Sequence, residues 1–156
     1  MTRLVACALI VYSYFEIQNA LPKLAEMAPG NGAQRGVALS LWISLAVDAF
    51  VCGTFLLVPL VARAMPEAVH FGWRRLSDYT PRQLENVLPV VTRMVGMMSL
   101  AASMLLGYVI HMRIESALKD LHAHPPLLLV YGTLLGSLIL ITHYYGDRMD
   151  EAAGEA

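Results

Sequence analysis

The stretch from Val37 to Ala62 constrains the fold most, because it carries a single charged side chain, Asp48, in an otherwise apolar or weakly polar run. A helix of about 20 apolar residues crosses the hydrocarbon core of a bilayer. In a chain that is 57% hydrophobic, with a mean hydropathy of +0.56, such a run is typical of a membrane span. Residues 37–64 are therefore predicted to form a membrane-spanning helix.

Three further apolar runs, at residues 4–21, 87–112 and 126–145, predict three more spans. The four runs together predict an all-α fold, an integral membrane four-helix bundle. We expect a single membrane domain over residues 1–146, followed by a flexible acidic tail over residues 147–156.

The first run is short for a span and also resembles the apolar core of a signal peptide. Cleavage after Ala20 would need a small residue where Gln18 stands, which favours a retained helix that ends near Leu21 and Pro22. Both interpretations, a retained span and a removed signal peptide, stay open from the sequence.

Polar and aromatic side chains fill the segment between the second and third spans and predict an amphipathic segment at the membrane surface. Its defining residues are His70, Phe71, Trp73, Arg74, Arg75 and Tyr79. The next helix should begin after Thr80, because Thr80 and Gln83 have the spacing of a capping box and Pro81 suits the first helical position.

The distribution of lysine and arginine predicts the orientation. With four spans, both termini and the segment between spans two and three share one side of the membrane. That side carries Arg3, Arg63, Arg74, Arg75, Arg82, Arg93 and Arg148, and the other carries Lys23, Arg35, Arg113 and Lys119. The excess places both termini in the cytoplasm. The net charge of −1, without a basic patch, argues against nucleic acid as a partner.

Two spans carry stripes of small residues that predict close helix packing. Gly96, Ser99, Ser103, Gly107 and His111 recur every three or four residues on the third span. On the fourth span, Gly132 and Gly136 form a small-xxx-small pair. These faces are expected to pack within the bundle, against a second copy in a homo-oligomer, or against a membrane partner protein.

A polar line on the second span leads to the carboxyl group of Asp48, because Ser40, Ser44, Asp48 and Cys52 repeat every four residues. Counting about 1.5 Å per residue places Glu16 and Ser103 near the level of Asp48, and no lysine or arginine at that depth. Asp48, Glu16, Ser44 and Ser103 are thus the predicted intramembrane polar or ion site. Asp48 is either a hydrogen-bonded tie between helices, or a carboxyl group that is protonated at neutral pH or binds a cation.

No metal site, cofactor or catalytic residue is predicted. The chain lacks a nucleophile–base–orienter set, a phosphate-binding glycine loop and a cysteine-pair metal motif, so we expect no enzyme. Haem is a weaker alternative, since His111 and His143 are predicted at opposite membrane surfaces. His122 and His124 could hold a metal outside the membrane, although two loop histidines are a weak signal.

Residues 66–81, PEAVHFGWRRLSDYTP, followed by the third span, resemble small bacterial four-helix membrane proteins related to the domain of unknown function DUF1648. This domain also occurs in immunity proteins against a peptide toxin. Leu21-Pro22 and Gly30 to Gly32 match the first external loop of that family, but Met27 stands where the family has histidine.

The resemblance implies a non-enzymatic bacterial inner-membrane protein of a largely uncharacterised family, acting in sensing or in an immunity-like role. The alternative, drawn from the residues themselves, is a proton- or cation-handling carrier or subunit centred on Asp48 and Glu16. A haem-binding electron carrier is a third, weaker hypothesis.

Overall fold

A computed structural model describes residues 2–27, 32–71, 74–118 and 127–154. Four long helices account for nearly all of them: α1 (Thr2–Met27), α2 (Gly32–Ala64), α3 (Pro81–Leu118) and α4 (Leu127–Gly154). All four are long and apolar enough to cross a membrane, as the sequence predicts. The chain therefore has the helices of a multi-pass membrane protein.

Helix α3 lies at the centre, because it packs along α1, α2 and α4. Helices α1 and α3 run in the same direction, with Thr2 beside Gly96 and Ser13 beside Gly107. Along α2 and α4 the residue numbers fall as those of α3 rise. Ser99 contacts Cys52 and Ser103 contacts Asp48, while Gln83 bonds Ala153 and Asn86 bonds Ala152. Helices α2 and α4 therefore run antiparallel to α3.

Two clusters of buried apolar side chains lie at opposite ends of the molecule. The Met94 cluster joins α2, α3, α4 and the segment before α3, and consists of Ala62, Val69, Leu76, Val87, Val91, Met94, Val95, Met98, Met149 and Ala153. The Ile110 cluster joins α1, α2 and α3, and consists of Ile17, Ala20, Leu24, Leu41, Leu45, Ile110 and Ile114. We call the two ends of the molecule the Met94 end and the Ile110 end.

The segment between α2 and α3 folds against the Met94 cluster. Single 3-10 turns at Pro66–Ala68 and Leu76–Asp78 flank two short antiparallel strands, β1 (His70–Phe71) and β2 (Arg74–Arg75). Val69 and Leu76 are buried in the cluster. Two apolar side chains thus anchor an otherwise polar segment.

The residues predicted to face the membrane surface differ in exposure. His70 and Arg75 are exposed, whereas Phe71 and Tyr79 are half-buried against the Met94 cluster. Trp73 and the side chain of Arg74 lie outside the described residues.

The predicted start of α3 is confirmed. The Thr80 backbone N–H donates to Gln83 Oε1 at 3.0 Å, and the Gln83 backbone N–H donates to Thr80 Oγ1 at 3.4 Å. This reciprocal pair is a capping box, which satisfies backbone donors that the first turn of a helix leaves without partners.

The predicted ends of α1 and α4 were wrong. Helix α1 was expected to end near Pro22 and instead continues to Met27. Proline also lies inside α2, at Pro59, and inside α3, at Pro89. Membrane helices tolerate proline because neighbouring groups satisfy the freed carbonyl. The prolines therefore do not mark span ends in this chain.

Helix α4 also continues beyond residue 146, to Gly154, where a flexible tail was predicted. Met149 is fully buried in the Met94 cluster, which fixes this last part of the helix. Side chains of α3 cap the final carbonyls, since Gln83 Nε2 donates to Ala153 O at 3.2 Å and Asn86 Nδ2 to Ala152 O at 3.5 Å. The composition of residues 147–156, acidic and rich in small residues, does not show that Met149 is buried in the Met94 cluster.

Candidate functional site

Asp48 lies on α2 with no exposed surface, facing α3. Ser103 Oγ donates a hydrogen bond to Asp48 Oδ1 at 3.0 Å. The second carboxyl oxygen, Oδ2, is buried and has no hydrogen-bond partner among the described residues. Buried polar atoms in proteins are nearly always paired, so this oxygen is an exception that needs a physical explanation.

Cys52 extends the polar contact one turn further along α2. Its Sγ atom lies 2.7 Å from Ser99 Oγ and 3.2 Å from Ser103 Oγ. Asp48, Cys52, Ser99 and Ser103 form one buried group between α2 and α3, here called the Asp48 cluster. Asp48 and Ser103, which were predicted to lie at a similar level in the membrane, are thus joined by a hydrogen bond.

Ser44 was predicted to belong to the same site, but its hydroxyl bonds elsewhere. Ser44 Oγ donates to the carbonyl of Ser40 at 2.9 Å and accepts a hydrogen bond from Arg113 Nη1 at 3.3 Å. Sequence reasoning missed Arg113 because it assigned this residue to the membrane surface. A long helical side chain leans toward the N-terminus of its helix, which lets Arg113 reach back along α3.

Glu16 was also predicted beside Asp48, and it instead pairs with His111. Glu16 Oε1 on α1 lies 2.5 Å from His111 Nδ1 on α3. The Glu16 side chain is 16% exposed and that of His111 50% exposed. The missed signal was the place of His111 four residues beyond Gly107, since Gly107 lies against Ser13 of α1.

The predicted packing glycines fall into two groups. A Cβ atom added at Gly96 would lie 2.7 Å from Thr2 Oγ1, and one at Gly107 would lie 3.3 Å from Ser13 Oγ. Both α3 glycines thus allow α1 to approach closely. A Cβ atom at Gly132 or Gly136 would meet no atom of the described chain within 4 Å, so the α4 pair has no packing role inside this part of the protein.

Metal ligands are not clustered among the described residues, which contain no group of three or more histidine, cysteine or acidic side chains able to hold an ion. His122 and His124 lie outside the described residues. Cys7 is exposed on α1 and Cys52 is buried, and both are free thiols. Two groups among the described residues could take part in proton chemistry. One is the buried carboxyl group of Asp48, whose Oδ2 has no hydrogen-bond partner, and the other is the Glu16–His111 pair, closer to the Ile110 end.

No protein-family model, curated protein or solved structure matches this chain. The functional interpretation therefore depends on the geometry of the site and on the sequence.

Proposed function

We propose that this protein is a multi-pass bacterial inner-membrane protein that handles protons at Asp48. The free, fully buried Oδ2 atom carries this proposal. An ionised carboxylate with one hydroxyl partner is expensive in a membrane interior, by several kcal/mol, whereas the neutral acid has no charge to desolvate. A bound proton removes the charge without any further ligand.

A cation is the other way to neutralise the carboxylate. The Asp48 cluster offers hydroxyl oxygens from Ser99 and Ser103, but these side chains already bond Cys52 and Asp48. A proton needs no such rearrangement, and the proposal therefore favours the proton over a metal ion.

The proposal includes the orientation of the protein in the membrane. The start of α1, the segment before α3 and the end of α4 all lie at the Met94 end, in agreement with a four-helix bundle whose two termini face the cytoplasm. The arginine excess at this end supports the assignment. The segment containing β1 and β2 then lies at the cytoplasmic membrane surface.

Infrared spectroscopy of the protein in lipid tests the protonation of Asp48. We expect the carbonyl stretch of a neutral carboxylic acid at neutral pH, lost in Asp48→Asn and retained in the matched surface variant Asp78→Asn, since Asp78 is exposed. Sodium or potassium should not remove the band. A wild-type spectrum without a band assignable to Asp48 would contradict the proposal.

Proteoliposomes with an enclosed pH-sensitive dye test the activity itself. A proton gradient should dissipate faster with the wild-type protein than in empty vesicles, and Asp48→Asn should remove the difference while Asp78→Asn preserves it. Equal rates for all three proteins would contradict proton handling.

The second candidate is a non-enzymatic sensing or immunity-like role that depends on another membrane protein. The α4 face around Gly132 and Gly136, which no described residue covers, favours it, together with the resemblance of residues 66–81. Here cells that lack the protein should become sensitive to a membrane-active peptide toxin, and Asp48→Asn should restore resistance as well as the wild type does. Failure of Asp48→Asn to restore resistance would favour the proton-handling role.

A further inference from the structure

One face of α3 carries a polar or small residue at every turn from Ser99 to His111. Ser99, Ser103, Gly107 and His111 follow one another at intervals of four residues, about 6 Å along the helix. The distance from His111 to Ser99 is about 18 Å, more than half of the hydrocarbon thickness.

Each turn of this face meets a polar group on a neighbouring helix. His111 pairs with Glu16 of α1, and Gly107 lies against the buried hydroxyl of Ser13, also on α1. One turn further, Ser103 bonds Asp48 of α2. The polar contacts therefore continue from the Glu16–His111 pair to Oδ1 of Asp48 without an intervening apolar turn.

Toward the Met94 end the fully buried polar side chains stop at Ser99, and the next polar groups are Thr2, beside Gly96, and Arg3 at the start of α1. The buried polar side chains of the described residues are Ser13, Asp48, Ser99 and Ser103, together with the thiol of Cys52. Beyond Ser99, the buried side chains of α3 are Met98, Val95, Met94, Val91 and Val87. On the Ile110 side the polar groups lead to a carboxyl–imidazole pair, Glu16 with His111, whereas on the Met94 side the described residues offer only the Thr2 hydroxyl and the Arg3 guanidinium.

The other ionisable residues of the helices are spread over their whole length. On α1 they are Arg3, Cys7, Tyr12, Tyr14, Lys23 and Glu26, and on α2 they are Arg35, Cys52 and Arg63. Helix α3 adds Arg82, Glu85, Arg93, Tyr108, Arg113 and Glu115, and α4 adds Tyr131 before His143. Arg3 bonds the carbonyl of Thr92 at the opposite end. Arg113 bonds Ser44, one turn from Asp48, and among the described residues the only hydrogen-bond partner of the Asp48 carboxyl group is Ser103.

We propose that the Glu16–His111 pair is the proton entry point for Asp48, with the hydroxyls of Ser13 and Ser103 as the relay between them; this rests on the proposed proton-handling function. An imidazole ring can both accept and donate a proton, and the His111 side chain is 50% exposed to solvent. The fully buried Asp48 has no such access to water.

The transfer balances without an oxidant or a further ligand. The neutral Asp48 first releases its own proton along the relay to water. The Glu16–His111 pair then loses the proton that the Asp48 carboxylate gains through Ser103, which is bonded to Oδ1, and the pair regains one from bulk water. Each hydroxyl accepts one proton while it releases its own. Steps of about 6 Å exceed a hydrogen bond, so a water molecule between successive turns completes each step.

The rate at which the Asp48 carboxyl exchanges its proton for deuterium tests this inference. After transfer of the protein in lipid nanodiscs into heavy water, the Asp48 carbonyl band shifts as exchange proceeds. We expect Glu16→Gln and His111→Gln to slow this shift by about 100-fold, the typical contribution of a positioned acid–base group. Glu26→Gln, the same substitution at an exposed position of α1, should leave the rate unchanged.

The outcomes separate the two proposals. An Asp48 band that exchanges equally fast in Glu16→Gln, His111→Gln and Glu26→Gln overturns the entry point but leaves protonation of Asp48 intact. Absence of the Asp48 band from the wild-type spectrum overturns both. If Glu16→Gln does not fold, Glu16→Asp replaces it in the test, because aspartate keeps the carboxyl group. The Asp48 band should then exchange faster in Glu16→Asp than in His111→Gln.

Discussion

Helices α3 and α4 have the same signature of a membrane span in the sequence, yet the structure surrounds them differently. In an apolar stretch of 18 residues within each helix, 56% of the stretch in α3 is buried inside the protein, against 6% of the stretch in α4. Both helices carry glycine pairs, but only those of α3 meet another helix. Apolar composition thus decides whether a helix suits lipid, whereas polar side chains with partners decide which helix lies at the centre.

The physical reason is that lipid competes with protein for apolar side chains. Leucine gains little by leaving lipid for a protein interior, so close packing and interhelical hydrogen bonds have to hold a central helix in place. Helix α3 has both, through the Asp48 cluster and the Glu16–His111 pair. The first half of α4 has neither contact and presents Leu128, Leu135 and Leu140 outward.

The largest expected difference between the two helices is in packing. Met94→Ala on α3 should lower the free energy of unfolding by about 2–5 kcal/mol, because it leaves a cavity at a fully buried position. Leu140→Ala on α4, where the side chain is 71% exposed, should change it by less than about 0.5 kcal/mol.

Unfolding of both variants in mixed micelles by increasing SDS measures these values. Equal losses would mean that α4 packs against a second copy or a partner under the conditions used, and the comparison would then describe the isolated chain only.

The span positions and the cap of α3 could be predicted from the sequence because local patterns determine them. Length and apolarity place a span, and Thr80 with Gln83 carries the geometry of the cap in four residues. The ends of α1 and α4 could not be predicted in this way, since Pro22 is tolerated within a helix and Met149 is held by a distant cluster.

For the site, the sequence grouped Asp48, Glu16, Ser44 and Ser103 by depth, whereas the structure joins Asp48 to Ser103 and gives Glu16 and Ser44 other partners. Counting residues along each span gives depth alone, and the direction of a side chain around its helix decides the partner. Glu16 faces His111, and Arg113 reaches Ser44 because its side chain is long. These contacts depend on how α1, α2 and α3 are rotated, which no single span encodes.

An intermediate effect is expected from enlarging the glycines. Gly107→Leu should lower the free energy of unfolding by about 1–3 kcal/mol, because Ser13 of α1 occupies the space that the new side chain needs. Gly136→Leu on α4 has open space and should be close to neutral. The same SDS titration compares them, and an equal loss in Gly136→Leu would place a partner on α4.

The smallest expected effect concerns single hydroxyls. Ser103→Ala should lower the free energy of unfolding by about 0.6 kcal/mol, the average for an interhelical hydrogen bond in a membrane, because it removes the partner of Asp48 Oδ1. Thr133→Ala on α4 removes a bond to Leu129 O of its own helix and should have no measurable effect on helix association. The double variant Ser103→Ala/Asp48→Asn isolates the energy of the hydrogen bond between the two side chains. If its loss of unfolding free energy equals the sum of the losses in the two single variants, the hydrogen bond contributes nothing to holding α2 against α3.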